Sequence, residues 1–391
     1  MNLADYMIPA NCTAGKYGSF GDVVLQYSGK PDFKIPDATK VAIIGVPEDR
    51  FSEGAGEIKS PSVIRRQLYA LSEGSQGTVI DLGNMRTGKT LADTYCGLRD
   101  VLTELYQKNV VTLIIGGTID IFFGNFLAME EQNISMTTIA PQLRLPQRNA
   151  EIHPLNSLTF DLSKTSNLKP ETLHLKSATQ YPKHFCNVGY QSYYVSRQDL
   201  DYFQDRHFEA YRLGEVRESA LRGIEPVIRD SNLLAISMDA VKYSDAPAAS
   251  NVSPNGFAGE EMCQLAFFAG LSHCCQSLGI FDMIPQNDLQ NITAKLAAQM
   301  AWYFVEAVKR RNADHPKDHP QNFKKYLIYF DQIHHNLCFY KNIQTERWWM
   351  EVPSISNDKD GLMISCTPED YSRAAEQEIP DRWWKTYQRI N

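Results

Sequence analysis

Short continuous apolar runs alternate with stretches of helical period along most of this chain. The run that organises the rest is Val110–Asp120, VVTLIIGGTID, where β-branched residues lead into a glycine pair and a short polar turn. A continuous apolar run bounded by turn residues is the pattern of a strand covered on both faces. Similar runs stand at Val41–Val46, Thr78–Leu82, Ile134–Ile139, His184–Val188, Tyr211–Leu213, Leu233–Ser237 and Ile280–Ile284. Between them, helical spacing predicts helices from Ser60, over Leu91–Gln107, from about Ile121 to Glu131, and over Ser196–Asp205, Glu218–Ile228, Glu260–Ser277 and Leu289–Arg310. Leu91, Tyr95, Leu98, Leu102 and Leu105 fall on one face of the second of these. Strands alternating with helices predict a parallel sheet between two helical layers. Ligands of such sheets sit beyond the carboxyl ends of the strands, so Gly116–Asp120 marks the place for chemistry.

The rhythm lapses twice. Ala140–Pro182 is too long for an ordinary connection and reads as part of a binding site or a cover over one. Asn312–Pro320 reads as a linker, which divides the chain into an α/β domain at 1–311 and an extension at 312–391. The extension predicts short aromatic strands at Tyr326–Phe330, Leu337–Tyr340 and Trp348–Val352, then a helical tail. It carries the pairs Trp348–Trp349 and Trp383–Trp384. Tryptophan is enriched at interface hot spots, so a protein partner or self-association through the extension is expected. The competing reading has these rings cover the core domain's own apolar surface.

Charge and composition narrow the class. A net charge of −7 argues against a general nucleic-acid binder. No apolar stretch is long enough to span a membrane, and Met1–Lys16 lacks a secretory pattern. The cysteines show no CxxC spacing. A cytoplasmic location is the expectation.

One motif invites a nucleotide. Gly83–Thr90, GNMRTGKT, has the glycines, lysine and threonine of a phosphate loop between a strand and a helix. Gly83 and Gly88 would then belong to the backbone cradle, Lys89 would pair the phosphate charge, and Thr90 would hold magnesium. Thr90 with Asp93 is equally a helix capping box, which accounts for the threonine without a ligand.

Taken together, VAIIGVPED, GAGEIKSPSVIRRQL, VIDLGN, LIIGG, FCNVGYQ, AISMDA, SPNGFAGEE, GIFDMIP and TAKLAAQM, in order from Val41 to Val308, resemble the arginase or ureohydrolase family. The nearest branch is formimidoylglutamase. The resemblance implies a three-layer α/β/α fold with an eight-stranded parallel sheet, here followed by the aromatic-rich extension. It also implies trimers or hexamers, and hydrolysis of a guanidino or formimino group by hydroxide held between two manganese ions.

The resemblance places the metal ligands in three stretches. Gly-Gly-Asp-His corresponds to Gly116, Gly117, Thr118 and Ile119. Asp-x-His-x-Asp corresponds to Ala140, Pro141, Gln142, Leu143 and Arg144. Asp-x-Asp corresponds to Asp239, Ala240 and Val241. Ligands are thus missing at Ile119, Ala140, Gln142, Arg144 and Val241, and Asp239 alone is kept. Glu261 matches the substrate-orienting glutamate. The expectation is a catalytically silent relative with no cofactor and no metal, serving as an interaction or assembly module. Its residual site would comprise Asp239, Glu261, Arg144, Gln142 and Asp120, with Arg144 pairing Asp239 or Glu261, or else facing solvent. Two alternatives stay open: a C–N hydrolase with a rebuilt site that draws on Asp120, Asp245 or His153, and a nucleotide binder using Gly83–Thr90.

Overall fold

A computed structural model describes residues 2–10, 12, 15–31, 33–50, 56–129, 134–143, 182–311, 314–330, 335–354 and 361–391. Two short strands, β1 (Met7–Ile8) and β2 (Leu25–Gln26), flank the four-residue helix α1 (Phe20–Val23). The alternating core follows as β3 (Thr39–Gly45), α2 (Ser60–Tyr69), β4 (Thr78–Met85), α3 (Leu91–Gln107), β5 (Val111–Ile115), α4 (Phe122–Leu127) and β6 (Ser135–Ile139). It continues with β7 (His184–Tyr190), α5 (Arg197–Asp205), β8 (Glu209–Arg212), α6 (Leu213–Glu218), α7 (Glu225–Arg229), β9 (Leu233–Ser237), α8 (Gly259–Leu271), β10 (Ser277–Phe281) and α9 (Ile292–Lys309).

The main sheet runs β1-β4-β3-β5-β10-β9-β6-β7-β8, with β2 beside β4. From β4 to β8 every neighbour is parallel, which gives the eight parallel strands that the alternation predicts. β1 is antiparallel to β4 and places Met7 opposite Met85 and Ile8 opposite Asn84. That pairing carries β4 three residues beyond the predicted end at Leu82. Apolar side chains fill both faces of the sheet in two clusters, one under α2, α8 and α9 and the other under α3 and α4.

Three predicted elements differ for local reasons. The helix expected over Glu218–Ile228 is two short helices, because Ala220 and Leu221 take left-handed φ of 46° and 64°. Pro226, which has no N–H to give, then sits in the first turn of the second. The strand expected at Ile280–Ile284 lies earlier, at Ser277–Phe281, since Asp282 adopts a φ of 64° and ends it. The helix expected to reach Glu131 closes at Leu127.

Beyond α9 a second, antiparallel sheet runs β11 (Phe323–Phe330), β12 (His335–Asn342), β13 (Trp348–Val352) and β14 (Leu362–Cys366). α10 (Pro368–Ala375) and α11 (Asp381–Ile390) pack on it around Phe330, Phe339, Met350 and Trp383. β14 was not among the strands expected from the sequence.

This unit is fastened to the core by charge and aromatic contacts. The Arg229 guanidinium lies 4.2 Å from the Trp349 ring centre and donates to the Trp348 carbonyl at 3.2 Å. Arg382 on α11 reaches Asp230 at 2.7 Å and faces Glu209 of β8 at 3.8 Å. Glu209 also accepts from His184 of β7 at 2.9 Å and from the Tyr211 hydroxyl. Buried though it is, Glu209 is held far below the usual carboxylate range by His184 and Arg382. The tryptophans therefore serve the protein's own interior: Trp348, Trp349 and Trp383 are buried, and only Trp384 of the two pairs is exposed.

Candidate functional site

The carboxyl ends of the central strands converge on a turn that only glycine can make. Gly116 and Gly117 take φ of 86° and 77° at the end of β5. A Cβ on Gly117 would fall 2.1 Å from Ile121 Cδ1 and 2.9 Å from two backbone oxygens. Close approach and left-handed backbone together exclude a side chain here. The turn delivers Thr118, Ile119 and Asp120 to the mouth of the sheet.

Asp282, directly after β10, ties this mouth together. One carboxylate oxygen accepts from the Ile119 N–H at 2.9 Å and the other from the Ser237 hydroxyl at 2.5 Å. Its own N–H donates to the Gly117 carbonyl at 2.9 Å. Ser237 in turn accepts from the Asp239 N–H at 3.2 Å. Asp239 is buried at the end of β9, with one oxygen accepting from the Asn251 N–H at 2.8 Å. Glu57 is also fully buried and accepts from the Ser250 hydroxyl at 2.9 Å.

Asp120 lies deeper, 2% exposed, and one oxygen accepts from the Tyr95 hydroxyl. Burial pushes its carboxyl up to about 7; hydrogen bonds from Thr118 and Tyr95 oppose the rise, while Asp282 and Glu48 add to it. Glu48, after β3, is buried as well, and burial alone would raise it. Arg50, at 2.8 Å, and the Thr94 hydroxyl, at 3.1 Å, hold it below the usual carboxylate range instead. Two carboxyl groups in one neighbourhood are thus set apart: Glu48 stays charged, while Asp120 titrates near neutrality.

The residues the resemblance aligns with metal ligands fall where it implies, at strand ends. Ile119 follows β5, Ala140 follows β6, and Val241 lies just past β9; all three are apolar and buried. Gln142 is buried with its side-chain oxygen unpartnered, while its backbone carbonyl accepts from Asn187 at 3.0 Å. Asp120, Asp239 and Gln142 therefore gather at the mouth. Glu261 serves elsewhere: it caps α8 by accepting from the Ala258 N–H at 2.6 Å and pairs with Arg217 at 3.4 Å. Asp245 likewise accepts from the Gly259 N–H at 2.9 Å at the same helix start. Arg144, His153 and most of the long segment expected as a cover lie outside the described residues.

The phosphate-loop reading of Gly83–Thr90 meets a physical obstacle. Gly83 is inside β4, not in a loop, and its N–H donates to Asp81 at 2.8 Å. The Gly88 N–H donates to the Thr94 hydroxyl at 2.9 Å. Thr90 and Asp93 form the reciprocal capping box of α3. A phosphate cradle needs free, convergent amides, and here these amides have internal partners.

Sequence reasoning passed over Glu48, Tyr95, Ser237 and Asp282. Glu48 and Asp282 did leave a signal: each is a carboxylate within three residues of an apolar strand's carboxyl end.

Comparison with known proteins places this geometry. The sequence pattern of the Arginase family matches residues 39–306. The formimidoylglutamase of Staphylococcus haemolyticus is 24% identical over 291 residues, covering 69% of this chain and 87% of that protein. The crystal structure of Trypanosoma cruzi formiminoglutamase with Mn2+ superposes with a TM-score of 0.60 at 20% identity, covering 72% of this chain and 97% of that one. The structure of formimidoylglutamase from Bacillus subtilis gives 0.57 at 20% identity, covering 73% and 97%.

These findings correct the expectation of a chain without a cofactor, because the trypanosomal structure of the same fold carries manganese. Among the described residues, no three His, Cys, Asp or Glu side chains come together in a way that could hold a metal ion. No helix among them is long and apolar enough to cross a membrane.

Proposed function

The chain belongs to the arginase family, and from that premise we propose that it is a catalytically silent member acting as an interaction or assembly module. The observation that carries this reading is the trio Ile119, Ala140 and Val241, apolar and at most 1% exposed at the strand ends. Activating water with a pair of divalent ions calls for several oxygen or imidazole ligands around them. Side chains of this kind offer none. Asp239 and Asp282 support the reading in another way, since each is engaged in holding the loops of the mouth together.

For the interaction role, the support comes from the second sheet. Leu327 and Tyr329 on β11 are 60% and 52% exposed, and Trp384 on α11 is 44% exposed. β11 is an edge strand, and exposed apolar edges favour association.

Two experiments test the two halves. The full chain, supplied with Mn2+, is assayed for urea, formamide or ammonia release from arginine, agmatine and N-formimino-glutamate. No release above buffer is expected, and manganese-dependent turnover of any of the three overturns the silent reading. Sedimentation equilibrium of the wild type against Leu327→Lys with Tyr329→Lys tests association. A smaller assembly in the double variant is expected; an unchanged mass in both argues that this edge is not the contact.

A further inference from the structure

β11 is the outer edge of the second sheet, and one hydrogen bond fixes which way its backbone groups point. The Ile343 N–H donates to the Asn322 carbonyl at 2.9 Å, one step beyond the β11–β12 ladder. Hydrogen-bonded positions alternate along an antiparallel pair, so Lys324, Tyr326, Ile328 and Phe330 turn their amides and carbonyls towards β12. Lys325, Leu327 and Tyr329 turn theirs outward. The Tyr329 carbonyl agrees with that direction, since it accepts from the Gln377 side chain, just past α10, at 3.0 Å.

The same three residues form an exposed stripe. Leu327 and Tyr329 are 60% and 52% exposed, and Lys325 is exposed beside them with its Nζ 5.3 Å from the Tyr340 ring centre on β12. Edge strands are ordinarily blunted by charge or covered by another element. Here both lysines stand near the start of the strand, and from Tyr326 to Phe330 it is apolar and aromatic.

A second copy of β11 matches this edge in one register. Two identical antiparallel strands pair about a two-fold axis, which makes the edge its own partner. An axis at Lys325 or Tyr326 would set the two Lys325 ammonium groups opposite or diagonal to one another, where like charges repel. An axis beyond Leu327 would shorten the overlap. With the axis at Leu327, the strands pair from Lys324 to Phe330 and no lysine faces a lysine.

Resting on the association already assigned to β11, we propose that a second copy of this chain adds its β11 antiparallel to this one about an axis at Leu327, joining two four-stranded sheets into one. Leu327 pairs with Leu327 through its N–H and carbonyl, and Lys325 of each copy lies opposite Tyr329 of the other. On the helix-covered face Tyr326 lies opposite Ile328. Lysine against tyrosine repeats the contact that Lys325 makes with Tyr340, and aromatic against β-branched is a favourable cross-strand pair.

The full-length wild type, Leu327→Pro and two cysteine variants test the pairing. The Leu327 N–H takes no part in the chain's own sheet, so proline there spares the fold and removes the bond at the axis; thermal unfolding checks this first. Sedimentation equilibrium is expected to show a wild-type dimer that Leu327→Pro weakens by about tenfold or more. Across the axis the two Leu327 Cα atoms stand about 5.5 Å apart, within disulfide range. Cys338→Ser removes the thiol that faces position 327 in the same chain. In that background Leu327→Cys links two copies on oxidation, whereas Lys325→Cys, roughly 14 Å from its counterpart, does not. A monomeric wild type at ~100 μM, a dimer that Leu327→Pro leaves intact, or linkage at position 325 rather than 327 overturns the proposal. Manganese-dependent turnover would end the silent reading and leave this dimer standing, while a monomeric chain leaves the silent reading standing, so the two fail separately.

Discussion

The mouth of the parallel sheet and the seam under the second sheet both bury charge, but they do so in opposite ways. At the seam the strongest ion pairs join different elements: Arg382 meets Asp230 and Glu209, and Arg347 meets Glu225 and Asp314. At the mouth the carboxylates outnumber the cations among the described residues. Glu48 has Arg50, whereas Asp120 leans on a tyrosine hydroxyl and Asp282 on a serine and a backbone amide. Orphan side-chain oxygens on Gln142 and Asn187 remain there. A seam built of complementary pairs is a fastening, while a mouth with surplus acceptors keeps the polarity of a ligand-binding place. Ile119, Ala140 and Val241 are buried apolar members of that mouth.

The seam gives the largest effect. Arg382→Ala leaves the buried Glu209 and the half-buried Asp230 without their shared cation, and breaking a buried pair costs about 3–5 kcal/mol. Urea denaturation should show that loss, with limited proteolysis cutting first within 312–391. A change below about 0.5 kcal/mol would make the seam an ordinary surface contact.

At the mouth the effect depends on pH. The Asp120 carboxyl sits at about 7 when folded, against roughly 4 for an unfolded aspartate. The folded state therefore holds this proton longer. Its contribution to stability is full below pH ~4 and is lost as pH rises through about 7, a swing of roughly 2–4 kcal/mol. Asp120→Asn removes that slope from a plot of unfolding free energy against pH between these limits. Parallel wild-type and variant curves would contradict the assignment.

The smallest effects concern the motif that the sequence made attractive. Thr90→Ala deletes the cap of α3 and costs about 1 kcal/mol. Lys89→Ala, at an exposed position, stays within about 0.5 kcal/mol. Thermal unfolding with and without ATP-magnesium checks both at once. A nucleotide-dependent rise in Tm that Lys89→Ala abolishes would restore the phosphate-loop reading.

Much of the architecture was legible because burial on both faces writes long apolar runs. β9 and β13 fall on their predicted residues, and so does α3, bounded by its Thr90–Asp93 box. The breaks were less legible. Nothing in local composition announces the left-handed backbone at Ala220, Leu221 and Asp282. At the mouth, the strand-end residues were placed by resemblance, yet Glu261 proved to be a helix cap, since capping and substrate contact ask for the same side chain. The tryptophan pairs could be read from the sequence either as an interface or as cover for the protein's own surface. Adjacent strand residues face opposite sides, and here one side is the second sheet's own core while the other is Arg229 on the first domain, so Trp348 and Trp349 are both buried.

The most direct measurement follows N-formimino-glutamate by proton NMR in the presence of the full chain and excess Mn2+, beside an active formimidoylglutamase under the same conditions. The substrate's formimino signal should decay in this chain's sample no faster than in buffer. A manganese-dependent decay that yields formamide and glutamate would contradict a silent centre.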